Sequence, residues 1–142
     1  MATQRKAEVV WEGNLTEGSG TIVSNTSGAL PELPVSWPSR ADEPNGKTSP
    51  EELIAAAHAA CFAMALSHEL AQAGHTAARL ETSATVTFQP GEGIKGSALS
   101  VVATVPGMSE ADFLAAAAAA KEGCPVSGAL SVPITLDAQL AS

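Results

Sequence analysis

An α+β fold is what this sequence predicts, and three features predict it. Short runs that alternate apolar and polar residues stand near both ends and in the middle of the chain. Two alanine-rich stretches carry helix start and stop signals. Strands and helices also fail to follow the strict βαβα rhythm of a doubly wound sheet. The expected order is β-β-β-α-β-β-α-β, within a single domain spanning residues 1–142.

Taken in order, AEVVWEG alternates enough for a strand, with Val9 and Trp11 on one face. GTIVSN, after the Gly18–Gly20 turn, reads as its hairpin partner. The stretch from Leu30 to Trp37 is apolar but punctuated by Pro31 and Pro34, with Pro38 next, which suits an edge strand or an extended crossing segment. Residues 40–47, RADEPNGK, read as a polar loop with turn chemistry at Pro44-Asn45-Gly46. The first long helix then announces itself. Ser49 fits the N-cap, Pro50 the first helical position and Glu52 the return half of a capping box. The pattern persists to about Ala73, where Gly74 is the expected C-cap.

Two alternating runs follow. ETSATVTF puts Ala84, Val86 and Phe88 on one face, and SALSVVATV does the same with Leu99, Val101, Ala103 and Val105. The connector QPGEGIKG is turn material, so the pair predicts a hairpin. Ser109 with Asp112 caps a second helix over Glu110 to Glu122, ended by Gly123. Cys124 then stands near the N-cap of a short helical turn with Pro125 at its first position. SVPITLDAQL closes the chain as a strand presenting Val132, Ile134, Leu136, Ala138 and Leu140.

Composition narrows the function. Aromatics are scarce, with two Trp, three Phe and no Tyr, so core positions are small. Elements must approach closely or share a core with a second subunit, and the second is favoured. A net charge of −8 with no basic run argues against nucleic acid and against an anionic membrane surface. The opening MATQRKAEVVWEG lacks a signal-peptide core. No apolar run approaches the roughly 20 residues of a membrane helix; His58, His68 and Glu69 interrupt the alanine-rich one. A cytoplasmic protein is the expectation. Two cysteines cannot build a disulfide framework. In a reducing compartment they are either structural thiols or a working redox couple.

The chemistry centres on SPEELIAAAHAACFAMALSHEL. A free cysteine is more often a packed thiol than a reactive one. Cys61, in mid-helix, also lacks the dipole assistance that lowers a thiol pKa, whereas Cys124 at a helix start has it. Bare physics therefore names Cys124 the more acidic thiol, and a cation must be delivered to Cys61 for it to attack. Of the three arginines, Arg40 in the loop before the helix is the one placed to fold over a neighbouring site. Glu51 lies about 80° around the helix from Cys61 while Glu52 points roughly opposite, so Glu51 is the better partner for a site on the cysteine side. Ten residues rise about 15 Å, too far for direct contact within one helix. Glu51 would thus serve the thiol from a second subunit, or through an intermediary such as an arginine. His58, Cys61 and His68 share a face within about 60°. They could form a Cys-His pair or hold zinc, but His68 stands too far along the helix for shared coordination. His58 reads better as a hydrogen-bonded group behind the thiol or at an interface.

Together, TSPEELIAAAHAACFAMALS, the later AKEGCPVSGAL and ITLDAQL, and the opening WEGN…GSGT closely resemble the osmotically inducible protein C (OsmC) family of thiol peroxidases. The resemblance spans nearly the whole chain. It implies an intertwined homodimer, with antiparallel sheets around central helices and active sites formed between subunits. It implies reduction of organic hydroperoxides, and more weakly hydrogen peroxide, under oxidative or osmotic stress, with no metal or cofactor. On that resemblance Cys61 matches the peroxidatic cysteine, Cys124 the resolving one, Glu51 the family carboxylate and Arg40 the arginine it holds. An external thiol, dihydrolipoyl or similar, would restore the reduced form. The related organic hydroperoxide resistance branch keeps its arginine in the N-terminal hairpin, but EGNLTEGSGT has none, which leaves that role to Arg40. A site walled by Ala, Leu, Phe62 and Met64 would favour apolar-tailed peroxides. The competing readings are a non-catalytic dimeric small-molecule-binding protein with inert cysteines, and a His/Cys metal site.

Overall fold

The computed structural model describes residues 2–141. The chain divides after Leu53 into two compact units. In the first, β1 (Ala7–Glu12), β2 (Ser19–Asn25) and β3 (Leu33–Val35) form an antiparallel sheet in the order β1-β2-β3. The β1–β2 turn is closed by Gly18, whose N–H donates to the Asn14 carbonyl at 2.9 Å. A Cβ on Gly18 would lie 2.3 Å from that same oxygen, so only glycine fits. All six residues of β1 are exposed, Val9, Val10 and Trp11 included.

The segment after β3 departs from expectation. Residues 37–41 are not loop but a short helix, α1 (Trp37–Ala41), which puts Arg40 in a helical last turn. The cause is a reciprocal cap. Ser39 N–H donates to Ser36 Oγ at 3.2 Å, and Ser36 N–H donates to Ser39 Oγ at 3.1 Å. Pro38, which reads as a breaker in an extended run, sits where a first-turn proline is tolerated. The expected turn does follow. Asn45 and Gly46 take φ of 49° and 80°, and Lys47 N–H closes onto the Pro44 carbonyl at 3.0 Å.

The long helix α2 (Pro50–Gln72) starts where its sequence predicts, with Glu52 N–H donating to Ser49 Oγ at 3.2 Å, but the expected return half of the capping box is replaced by a bond one residue earlier. The Glu52 carboxylate takes the Thr48 hydroxyl at 2.7 Å. Since a glutamine keeps that acceptor, Glu52→Gln should cost less than about 1 kcal/mol in chemical denaturation and leave turnover intact. Its end is a Schellman motif. Gly74 at φ 86° donates to Ala71 O at 3.0 Å, and His75 N–H reaches back to Leu70 O at 2.9 Å. One sequence expectation fails here. At 23 residues, α2 is long and apolar enough to cross a membrane by length and composition. Its glutamates lie near the ends and its two histidines add little polarity to the middle.

In the second unit, β4 (Arg79–Gln89), β5 (Gly93–Thr104) and β6 (Ile134–Leu140) form a sheet in the order β4-β5-β6. Helices α3 (Glu110–Gly123) and α4 (Pro125–Ala129) stand between β5 and β6 in the chain. The β4–β5 pair is the expected antiparallel hairpin, but β6 runs parallel to β5. The sheet is therefore mixed rather than antiparallel throughout. A helical crossover returns the chain to the end of the sheet from which β5 set out, so the strand after it runs the same way. Val132 falls outside β6, which begins only after Pro133, a residue with no N–H for the ladder. The core joins Phe62, Leu66 and Leu70 of α2, Leu99, Val101 and Ala103 of β5 with Val105 beyond it, and Phe113, Ala117 and Ala120 of α3. On α2 the buried stripe His58, Phe62, Leu66, Leu70 repeats every four residues, one face of a helix.

Candidate active site

Cys124 stands where α3 ends and α4 begins. Its N–H donates to Ala120 O at 2.9 Å, closing α3, while Pro125 opens α4. As the residue before a proline it is held extended, at φ −66° and ψ 122°, which breaks the two helices apart. Its side chain is 1% exposed. Cys61, in the middle of α2, is half-buried. The two thiols are neighbours, close enough for each to shift the other's titration, Cys61 acting as donor toward the Cys124 sulfur.

That contact polarises the pair in opposite directions. The Cys61 pKa is raised from its ordinary 9.0, first by burial and then by the bond it donates to Cys124, against a small pull from the Val126 N–H. For Cys124 burial is the largest influence and raises the pKa. It is outweighed by the Ser127 N–H, the Cys61 thiol, the Ser127 hydroxyl and the Val126 N–H, so the net shift from 9.0 is downward. The sulfur lies over the first-turn amides of α4 too loosely for a full cap bond, yet near enough to feel them. The helix-start thiol is thus the more acidic, as helix geometry alone predicts.

Access runs the other way. A pocket of ≈ 370 Å³ is lined by Cys61, Met64, Ala65, His68, Glu69, Ala120, Gly123 and Pro125. Cys61 therefore meets whatever enters, and Cys124 lies behind it. Phe62, expected on the wall, is fully buried in the core instead. One residue along a helix turns the side chain by about 100°, which separates Phe62 from Cys61.

In the first unit, Arg40 and Glu51 come together. Arg40 Nε donates to Glu51 Oε1 at 3.0 Å and to Oε2 at 3.1 Å, and Nη2 donates to Oε2 at 2.8 Å. The carboxylate is 8% exposed and the guanidinium side chain 31%. A planar fork of this kind fixes the orientation of the guanidinium as no lysine could. Helix α1 carries Arg40 and the first turn of α2 carries Glu51, so the Ser36–Ser39 cap holds one half of the pair in place. The signal for it was the Ser-x-x-Ser spacing of SWPS.

His58 is fully buried, with Nδ1 2.6 Å from Ser97 Oγ and Nε2 2.8 Å from Ser127 Oγ. Burial holds its pKa below 6.5, so the ring is neutral. Neither serine is legible as a partner in the sequence. Ser127 had the better signal, as the third residue after Cys124 in GCPVS, on the first turn of α4. His68 lines the same pocket as Cys61.

Comparison with known proteins agrees with the resemblance. The sequence pattern of the family described as OsmC-like protein matches residues 43–138. Peroxiredoxin OsmC of Escherichia coli K12 is 43% identical over 145 residues, covering 100% of both chains. Among solved structures, the organic hydroperoxide resistance protein OhrB of Bacillus subtilis is 25% identical, with a TM-score of 0.61 over 95% of this chain and 97% of that one. An OsmC-like protein of Mycoplasma pneumoniae reaches a TM-score of 0.73 over 100% of both chains at 16% identity, a likeness of fold.

Proposed function

This chain belongs to the OsmC-like family, and from that premise we propose that it is a thiol-dependent hydroperoxide reductase working through Cys61 and Cys124. The observation that carries the assignment is the pair of neighbouring thiols, Cys61 lining a largely apolar pocket and Cys124 buried beside it. The Cys61 thiolate attacks the distal oxygen of the peroxide, the O–O bond breaks, and the alcohol leaves with the proton. Cys61 is then a sulfenic acid. Cys124 attacks its sulfur, the S–O bond breaks, and water departs as the disulfide forms. An external dithiol of the dihydrolipoyl kind restores both thiols.

Roles follow from position. Cys61 is peroxidatic because it lines the pocket, although its thiol is the less acidic in the single chain. The shortfall in acidity is what a cation must supply, and Arg40, oriented by Glu51, is the group we assign to it. Met64, Ala65 and Ala120 favour organic hydroperoxides over hydrogen peroxide, by roughly 0.8 kcal/mol for each CH₂ buried. A homodimer is supported by the apolar surface left bare, with Val9, Val10 and Trp11 on β1 and Met64 at 73% exposure on α2. We place the protein in the cytoplasm, where such thiols stay reduced between turnovers.

One equivalent of cumene hydroperoxide, added to the reduced protein, is expected to remove two thiols and leave one intramolecular disulfide, read by thiol titration and mass spectrometry. Unchanged thiols would leave the cysteines structural and the protein a binder. Cys124→Ser should permit a single oxidation, then stall as a dimedone-reactive sulfenic acid or overoxidise. Normal repeated turnover of that variant would remove Cys124 from the cycle.

A further inference from the structure

We propose that His58 is a positioning residue for disulfide formation, turning the Ser127 hydroxyl onto the Cys124 sulfur through a line of donors that runs Ser97, His58, Ser127, Cys124. The proposal rests on the reading of Cys124 as the resolving thiol. It starts from a fully buried imidazole in a helix otherwise rich in alanine. Both ring nitrogens are partnered, at 2.6 Å by Ser97 on β5 and at 2.8 Å by Ser127 on α4. Those partners lie 39 and 69 residues away in the chain, so three separate elements converge on this ring. A buried polar network is costly unless every member is satisfied. Among the described residues, no buried side-chain nitrogen or oxygen lacks a partner.

The line has a direction. A neutral imidazole offers one donor and one acceptor. When the Ser97 hydroxyl donates to Nδ1, the Nε2–H donates to Ser127 Oγ, and the Ser127 proton is left free for the Cys124 sulfur, which stands three residues before it at the N-cap of α4. That arrangement suits a thiolate. In the other tautomer Ser127 donates to Nε2 and turns a lone pair toward the sulfur, which suits a thiol. Burial keeps the ring uncharged in either case, so the line stabilises the thiolate without a buried cation. Each donor also polarises the next.

The chemistry balances with water alone. Cys124 releases its proton to solvent, and the thiolate attacks the sulfur of the Cys61 sulfenic acid. The S–S bond forms, the S–O bond breaks, and the departing hydroxide joins a proton to make water. Among the described residues, the titratable groups lining the pockets beside the line are Cys61, His68 and Glu69 on α2; Lys95 on β5, which pairs with Glu92 at 2.9 Å; and Lys121 and Glu122 at the end of α3, 3.6 Å apart.

The test is a titration of the Cys124 thiolate by its ultraviolet absorbance, in the full chain carrying Cys61→Ser. His58→Phe and Ser127→Ala are each expected to raise the midpoint by about one pH unit. Their combination should do no more than either alone, and Ser127→Thr should restore the native midpoint. With Cys61 present, the same variants should slow disulfide formation about tenfold at neutral pH after a single oxidation. A midpoint unmoved in both folded variants overturns the proposal, because a space-filling histidine would change only the melting temperature. Should His58→Phe fail to fold, as circular dichroism would show, the half-buried Ser127→Ala decides the matter. The titration needs no peroxide, so a chain that did not react with peroxide would fail the enzymatic reading while still answering this question.

Discussion

Cys61→Ser is expected to abolish peroxide turnover outright, with no residual rate above the buffer reaction. Serine keeps the size and most of the packing of the thiol, so the fold and melting temperature should barely change. Its hydroxyl, however, has neither an accessible anion near neutral pH nor a sulfur to be oxidised. The buried Cys124 would not take over, because the pocket is lined by Cys61 and not by the thiol behind it. Peroxide consumption followed with cumene hydroperoxide and a dithiol reductant is the direct measurement. Measurable turnover in Cys61→Ser would mean that Cys124, the more acidic sulfur, receives the peroxide.

Arg40→Ala carries the second large effect. In the single chain the Cys61 pKa is raised by burial and by the bond to Cys124, so few molecules carry a Cys61 thiolate near neutral pH. An opposite charge brought within a few ångströms typically shifts a pKa by one to three units. Its removal should therefore slow sulfenic acid formation by roughly 10- to 1,000-fold and move the pH profile of the first step upward. Arg40→Lys should rescue little, because an ammonium cannot fork onto both Glu51 oxygens. Glu51→Gln should fall between the native and Arg40→Ala rates, since it leaves the charge but loosens its aim. In the proposed dimer, mixing Arg40→Ala with Cys61→Ser would identify the subunit that supplies the guanidinium. Recovered activity means that one copy serves the thiol of the other. A near-native rate for Arg40→Ala would remove that arginine from the mechanism.

How far the site could be read in the sequence differs from residue to residue. The start of α2 was legible because a serine, a proline and the amide that the serine caps lie within four positions, and such signals act locally. The same holds for Gly74, where a left-handed residue ends the helix. Cys124 was legible as a helix-start thiol because Pro125 dictates the backbone on both sides of it. Arg40 reads as loop because it opens the polar run RADEPNGK, whereas Ser36, two residues before Pro38, caps a helix that reaches Ala41. The interrupted appearance of α2 likewise weighed two histidines too heavily against a long apolar run.

The sequence by itself determined the order of the strands and of the two long helices, the caps of α2 and α3, the family, and two cysteines and one arginine as candidates for the chemistry. All of these are set by neighbours a few residues apart or by a motif long enough to be specific. Only the tertiary structure decided that β6 runs parallel to β5, that Cys61 faces the pocket with Cys124 behind it, and that His58 joins Ser97 to Ser127. These depend on contacts between residues dozens of positions apart. Such contacts are chosen by packing and strand register, for which a linear sequence carries no local mark.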